Sequence, residues 1–303
     1  NIVGDQDIFI VKYGASGNYL WAKKIGSAQG TDYATSIAVD ANGNIIITGV
    51  FEQTVDFDPG PGTANLTGVG RGDVFLAKYN PSGNYLWAIR MGDYEIDGGD
   101  AIALDAGGNI YITGSFVGTV DFDPGAGTAN LVAAGNRNIF IAKYSSAGNY
   151  IWAKDIGSPI TDEAGDLALD GSGNVYVTGY FQNTADFDPG PGTANLTSFG
   201  FGDLFIAKYT TSGNYLWARQ MGGTGSENGG SLALDNNGNV CLTGLFSNTA
   251  DFDPGPGTAN LTSAGQWDIA LAKYDAAGNY LWAKSMGGTD YDISQDIVLD
   301  GSN

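Results

Sequence analysis

The chain of 303 residues contains no histidine. That excludes imidazole acid–base catalysis, Ser/His triads and His-ligated metal centres. There is one cysteine, Cys241, so no intrachain disulfide can form. It stands inside a strand pattern where other copies of a repeat carry Tyr111 and Tyr176, and it reads as a small buried hydrophobe rather than a reactive thiol. Basic residues are scarce: 13 against 33 acids, for a net charge of −20. A nucleic-acid binder must neutralise phosphates, so that role is excluded, and anionic membrane surfaces would repel the chain. Cations and basic partners are the electrostatically compatible ligands. No apolar run approaches the roughly 20 residues that span a bilayer, so no membrane insertion is expected. No signal peptide is visible, and no segment sustains the i, i+3, i+4 spacing of a helix.

Glycine is abundant, at 48 residues, and Tyr, Phe and Trp are plentiful, as many short strands joined by tight turns require. Asp-Phe-Asp-Pro-Gly occurs four times, beginning at Asp56, Asp121, Asp186 and Asp251, always 65 residues apart. A fixed period overrides the two-domain expectation for this length and predicts one supersecondary unit copied in tandem. The second copy shows four apolar stretches: Ala101–Asp105 (strand A), Asn109–Phe116 (B), Ile139–Tyr144 (C) and Tyr150–Ile156 (D). The A–B and C–D links are short and end in Gly-Asn, as at Asp40–Asn44 and Tyr79–Asn84, which predicts antiparallel hairpins. Ile110, Ile112 and Phe116 on one face and Tyr111 on the other make the sheet apolar on both sides, so each unit needs cover from two neighbours. A row of such units is the pattern of a β-propeller, an all-β fold.

Asp170–Gly179 (DGSGNVYVTG), Asp203–Tyr209 (DLFIAKY) and Gly213–Ala218 (GNYLWA) resemble the SBBP-type β-propeller repeat of bacterial, often secreted, proteins, with a strand layout similar to NHL repeats. The resemblance runs along essentially the whole chain. It implies a propeller fold and an extracellular or cell-surface location in a bacterium. It says little about activity, because many members of that family have no known role.

Trp21, Trp87, Trp152, Trp217 and Trp282 mark five D strands, and Asp40, Asp105, Asp170, Asp235 and Asp300 mark five A strands. Strand B begins only four times, at Asn44, Asn109, Asn174 and Asn239. The expectation is a single five-bladed propeller domain over residues 1–303. Its blades are placed at about 34–94, 99–158, 164–223 and 229–288, with a closing blade from 1–28 plus 293–303 that lacks B. The alternative is a piece of a larger ring, array or multidomain chain.

Successive links of a meander alternate between its two ends, so the long B–C and D–A links share one face. The B–C link brings Asp56 and Asp58, Asp121 and Asp123, Asp186 and Asp188, and Asp251 and Asp253. The D–A link adds Asp32, Asp97, Asp162, Glu227 and Asp292, and strand C opens with Asp7, Asp73, Asp203 and Asp268, with Asn138 as the exception. Asp-x-Asp beside Gly-rich backbone can begin a Ca²⁺ shell, which takes six to eight oxygens. The competing reading is structural: Asp-Pro-Gly forms a turn unaided, and Phe57 and Leu66 anchor the loop. The D–A acids are either ligand-facing or acceptors of backbone N–H that fix blade register. The Lys12 series on strand C is expected to lay its stem along apolar surface and pair with an acid. The Trp21 series is expected to pack between blades, with sugar stacking as the alternative. Asn65-Leu66-Thr67, Asn195-Leu196-Thr197 and Asn260-Leu261-Thr262 match the glycosylation sequon as products of the repeat.

The function expected from these features is a non-catalytic binding or structural module with a protein or glycan partner and no certain cofactor. A calcium-dependent adhesin or lectin, gaining avidity from equivalent rim sites, is the second reading. A carboxylate-based polysaccharide-acting enzyme is the third, and it calls for one non-repeating acid pair.

Overall fold

The structure, a computed structural model, describes residues 6–300. Its regular structure is all β-strand, and among the described residues no helix is long and apolar enough to cross a membrane. The chain divides into two compact units, Asn1–Val132 with Ala142–Ala153, and Ala133–Ile141 with Lys154–Asn303.

The first unit contains the sheet Tyr33–Val39 (A), Ile45–Phe51 (B), Asp73–Tyr79 (C) and Tyr85–Met91 (D), in that spatial order and antiparallel throughout. Strands B and C are buried at every position, which is why their residues are apolar on both faces instead of alternating. Strand A breaks register between Ala34 and Ser36. Gly49 faces that bulge: a Cβ there would stand 2.1 Å from the Tyr33 carbonyl oxygen. The same unit holds the pair Gly98–Leu104 (A) and Ile110–Phe116 (B), and a two-stranded sheet of Ile8–Tyr13 (C) and Tyr19–Ile25 (D). Its core runs from Ile8, Ile10 and Ile25 through Phe51 and Phe57 to Phe75 and Tyr79.

The second unit contains two further A–B–C–D sheets. One is Glu163–Leu169, Val175–Phe181, Asp203–Tyr209 and Tyr215–Gly223, extended to six strands because Gly222 and Gly223 pair with Asp251 and Ala250 of the hairpin Thr249–Asp251 and Asn260–Thr262; the other is Glu227–Leu234, Val240–Phe246, Asp268–Tyr274 and Tyr280–Met286. Its core includes Leu204, Ile206, Leu232, Leu242, Phe246, Phe252 and Tyr274. The remaining C and D strands, Asn138–Tyr144 and Tyr150–Ile156, have residues in both units.

The four-stranded antiparallel unit predicted from the repeat is therefore present, with two differences. The B–C link is not plain loop. It holds a short hairpin in each copy: Thr54–Asp56 with Asn65–Thr67, Thr119–Asp121 with Asn130–Val132, Thr184–Asp186 with Asn195–Thr197, and Thr249–Asp251 with Asn260–Thr262. Facing threonines pair their hydroxyls in three of these, at 2.7–3.0 Å. The second difference is the fifth A segment: residues 292–300 carry no strand. In each complete sheet A pairs with B alone, so an A segment without B has no ladder to join. The outer parts of the expected closing blade, 1–5 and 301–303, lie outside the described residues.

Candidate functional site

Each Asp-Phe-Asp-Pro-Gly segment is the head of its hairpin. Asp56 Oδ1 accepts the N–H groups of Asp58 at 3.0 Å and Ala64 at 2.8 Å, and Asp58 Oδ1 accepts Gly60 N–H at 2.8 Å. Asp121 with Asp123, Asp186 with Asp188, and Asp251 with Asp253 repeat these bonds at the same lengths. Phe57 is fully buried, edge-on to Phe51 at 5.4 Å, and its carbonyl accepts the buried Tyr79 hydroxyl at 3.0 Å. Tyr144, Tyr209 and Tyr274 close on Phe122, Phe187 and Phe252 in the same way. Burial pushes all four phenols above the ordinary tyrosine range, so the donors keep their protons. The hairpin thus uses one oxygen of each carboxylate to hold its own backbone. Among the described residues no group of three or more acids or cysteines is arranged to hold a metal ion.

The D–A acids clamp two links together. Asp32 accepts Ser27 N–H at 2.6 Å and Glu52 N–H at 3.0 Å, and Asp97 accepts Asp93 and Val117 N–H, both at 2.9 Å. Asp162 accepts Ser158 and Gln182 N–H. All three are fully buried, so this series does not stand on an open rim. Asp292 accepts Gly288 N–H at 2.7 Å and is half-buried. Glu227 accepts Gly223 N–H at 3.0 Å, and its Oε1 is buried without a hydrogen-bond partner. Burial, aided by the Asp203 charge, pushes Glu227 up to about 8 against the opposing backbone N–H groups of Gly223 and Ser247. Burial likewise carries Asp97 to about 6 despite its two N–H donors.

Three of the acids that open C strands meet a partner on strand D, while Asp268 accepts Ala264 N–H at 3.0 Å. Asp7 pairs with Lys24 at 2.9 Å, Asp73 with Arg90 at 3.0 Å, and Asp203 accepts the Gln220 amide at 2.6 Å. A glycine ends strand D because the carboxylate fills the space a Cβ would need: at Gly92 it would lie 2.1 Å from Asp73 Oδ1. In the second copy the pair is inverted, with Asn138 Nδ2 donating to Asp155 Oδ2 at 3.5 Å.

The lysines of strand C reach the A–B turns. Lys78 meets Asp40 at 2.9 Å, Lys143 meets Asp105 at 3.5 Å, Lys208 meets Asp170 at 3.2 Å, and Lys273 meets Asp235 at 2.9 Å. Lys143 and Lys208 also lie 4.5 Å over the rings of Tyr111 and Tyr176. Cys241, buried, replaces that ring in the fourth copy. Burial alone would raise Asp40, but the Asn44 amide, Lys78 and two backbone N–H groups bring it down to about 2.

One cluster was not anticipated from the sequence. Ser231 Oγ lies 2.6 Å from Asp166 Oδ2 and 2.9 Å from Asp296 Oδ1, so one hydroxyl proton stands between two carboxylates. Asp166 also accepts the N–H groups of Leu167 at 2.7 Å and Leu232 at 3.0 Å, while burial raises its pKa. A hydroxyl donates to only one carboxylate at a time, so the two acids share a single donor at Ser231. A partial signal was available: the residue four before the A–B turn acid reads Ser36, Ala101, Asp166, Ser231 and Asp296, a column that varies between acid, hydroxyl and methyl.

Residues 20–50, spanning strands D, A and B of one repeat, match the family model for the beta-propeller repeat SBBP. This stretch is an SBBP beta-propeller repeat. The strand pattern of this stretch recurs along the chain with the 65-residue spacing. Among characterised sequences, the chain is 29% identical over 99% of its length to an uncharacterised WD repeat-containing protein, L264, of Acanthamoeba polyphaga mimivirus. It is 25% identical over 84% of its length to the regulatory protein FlaEY of Caulobacter vibrioides. The alignments cover 26% and 25% of those proteins, so the chain spans about a quarter of the length of either relative. A solved structure of a protein of unknown function from Bacteroides caccae aligns over 92% of this chain and 93% of its own, with 10% identity and a TM-score of 0.41.

Proposed function

We propose that this SBBP repeat chain is a non-catalytic binding or structural module. The observation that carries this reading is that the repeated polar groups are spent inward. The corner acids hold backbone N–H groups, the turn acids hold lysines, and the Asp-x-Asp pairs cap their own hairpins. A group already committed to the fold is poorly placed to do chemistry on a substrate. The relatives' names, a WD repeat-containing protein and a regulatory protein, fit the same role. The proposed arrangement is five blades counted by the five C–D hairpins, displaying the acidic B–C hairpins to a protein or glycan partner outside the cell.

The test is thermal unfolding in calcium and in chelator, beside a glycan array and turnover assays on soluble polysaccharides. The expected result is the same midpoint with and without calcium and no product formation. A calcium-dependent rise that Asp58→Asn and Asp123→Asn reduce would favour the adhesin reading instead. Turnover abolished by Asp166→Asn would favour an enzyme.

A further inference from the structure

In the third copy the loop Ser198–Gly202 leads from the B–C hairpin into strand C. It carries Phe199 where the other copies have Val69, Ala134 and Ala264, and Phe201 where they have Arg71, Asn136 and Gln266. Phe199 is 69% exposed and Phe201 77%. Their backbone is fixed all the same. Phe199 N–H donates to the Asp203 carboxylate at 3.1 Å, and Phe201 N–H to the Gly225 carbonyl at 2.9 Å. Gly200 lies so close to Gly225 that a Cβ would strike its carbonyl oxygen. Beside Phe201 a pocket of 440 Å³ opens, walled by Ile160, Gln182, Asn183, Thr197 and Ser198. Ile160 departs from the repeat as well: it stands where other copies carry Glu95, Gly225 and Asp290, and it is 38% exposed. The Gln182 side-chain amide and Asn183 Nδ2 have no hydrogen-bond partner among the described residues, while Asn183 Oδ1 accepts Thr184 N–H at 2.9 Å. Among the described residues no charged side chain lines the pocket. All of its walls belong to the second unit.

We propose that this pocket binds a neutral pyranose residue of a glycan, with Phe201 as its stacking platform. An aromatic ring carries partial negative charge on its faces, and the C–H face of a sugar ring is its complement. The hydroxyls around the sugar's edge meet the Gln182 and Asn183 amides and the Thr197 and Ser198 hydroxyls, which donate and accept without a net charge. Other occupants fit less well. An anion finds no basic group in the pocket and is repelled by the chain's net charge of −20. A cation finds no carboxylate there. An apolar side chain of a protein would cover Phe201 and Ile160 but bury the two amides without partners, which is costly. The volume is that of a small-ligand pocket, and the bound backbone of Phe201 leaves little to order on binding. This inference rests on the binding-module reading and deepens it. The site lies at the base of the hairpin, where Thr184 pairs with Thr197, rather than at its Asp-x-Asp head.

The experiment titrates the intact chain, in chelator, with neutral tetrasaccharides of glucose, mannose, galactose and N-acetylglucosamine. Tetragalacturonate is the anionic control. Binding is read by calorimetry and by backbone amide shifts. The expected result is that at least one neutral tetrasaccharide saturates a single site and shifts the amides of residues 182–183 and 197–202, while tetragalacturonate does not. Phe201→Ala is expected to weaken binding by about tenfold or more, and Gln182→Ala by about threefold or more. Tyr94→Ala should leave affinity unchanged: Tyr94 is as exposed as Phe201, at 77%, but lies outside the pocket. The Phe201 side chain is exposed, so circular dichroism should show that variant folded. Binding indifferent to both pocket substitutions, or weakened equally by Tyr94→Ala, overturns the proposal. Silence of all four neutral probes at millimolar concentration overturns the pocket alone and leaves the module reading to a protein partner. Binding that appears only with calcium and is lost in Asp58→Asn with Asp123→Asn also overturns it, because the glycan then sits at the hairpin heads. Self-association of the free chain that Phe201→Ala abolishes overturns it too, because a second copy is then the occupant. Cleavage of a tetrasaccharide that shifts the pocket amides would uphold the site and overturn the non-catalytic reading instead.

Discussion

Asn138 donates to Asp155 across the C–D ladder at 3.5 Å, reversing the polarity that Asp73 and Arg90 hold one copy earlier at 3.0 Å. Burial raises the Asp155 pKa, and the Asn138 amide works against that rise. The pairing is thus a coupled exchange: the copy that lost its acid on strand C placed one on strand D. Asn138→Asp is expected to set two carboxylates against each other and to cost about 1–3 kcal/mol, the penalty for an unsatisfied buried polar group. Adding Asp155→Arg to that variant should recover most of the loss. Urea unfolding of both variants checks this, and the idea fails if the double variant is no more stable than the single one.

The four tyrosine hydroxyls that close on Phe57, Phe122, Phe187 and Phe252 are buried, and so are their acceptors. Tyr79→Phe keeps the ring and removes the hydroxyl that donates to the Phe57 carbonyl. The expected cost is about 1–2 kcal/mol, and exchange at the Asp56–Ala64 hairpin should accelerate. Tyr13→Phe serves as the control: with 58% of Tyr13 exposed, the free chain's stability should not change.

Much of this framework was legible in the sequence, because the repeat presents each strand several times. Gly43 and Gly83, at φ 77° and 73°, are the turn residues that Gly-Asn predicted. The Lys12 series was expected to find acids, and Lys78, Lys143, Lys208 and Lys273 find those of the A–B turns. Three-residue hairpins inside the B–C link were not legible, since Thr-Val-Asp and Asn-Leu-Thr are too short to show alternation against a Gly- and Pro-rich background. The burial of Asp32, Asp97 and Asp162 was hidden for another reason. A carboxylate that accepts two backbone N–H groups is buried like an apolar residue, and the donors' positions come from tertiary structure. The contact of Asp166, Ser231 and Asp296 was not legible because it joins equivalent positions 65 residues apart, which only tertiary structure brings together.

Acid should unfold the chain partly through the turn acids. Asp40 sits at about 2 when folded against an ordinary 3.8, so its stabilising contribution is complete above 3.8 and is lost as pH falls toward 2. Lys78→Met removes a partner that is buried with Asp40, their side chains 7% and 8% exposed, while leaving the Asn44 and backbone donors in place. The expected outcome is a loss of about 1–3 kcal/mol at neutral pH and an acid-unfolding midpoint moved to higher pH. An unchanged acid limb would show that the ammonium contributes nothing to holding the carboxylate ionised.

Glu227 should act with the opposite sign. Its folded value of about 8 lies above the ordinary 4.5, so between those limits the folded chain binds a proton that the unfolded chain releases. Stability therefore declines as pH rises from about 4.5 to about 8 and levels off beyond, where both states are ionised. Asp97 adds a smaller decline between 3.8 and about 6. Glu227→Gln carries no titrating group yet keeps an acceptor for Gly223 N–H and fills the same volume. The variant should match the parent near pH 5 and exceed it near pH 8, and chemical unfolding at those two conditions measures the difference. Glu227→Asp, which installs the residue that accepts two N–H groups at Asp97 and Asp162, should also be more stable than the parent at pH 8. If both variants follow the parent's pH dependence, the decline comes from other groups and the orphaned Oε1 is not its source.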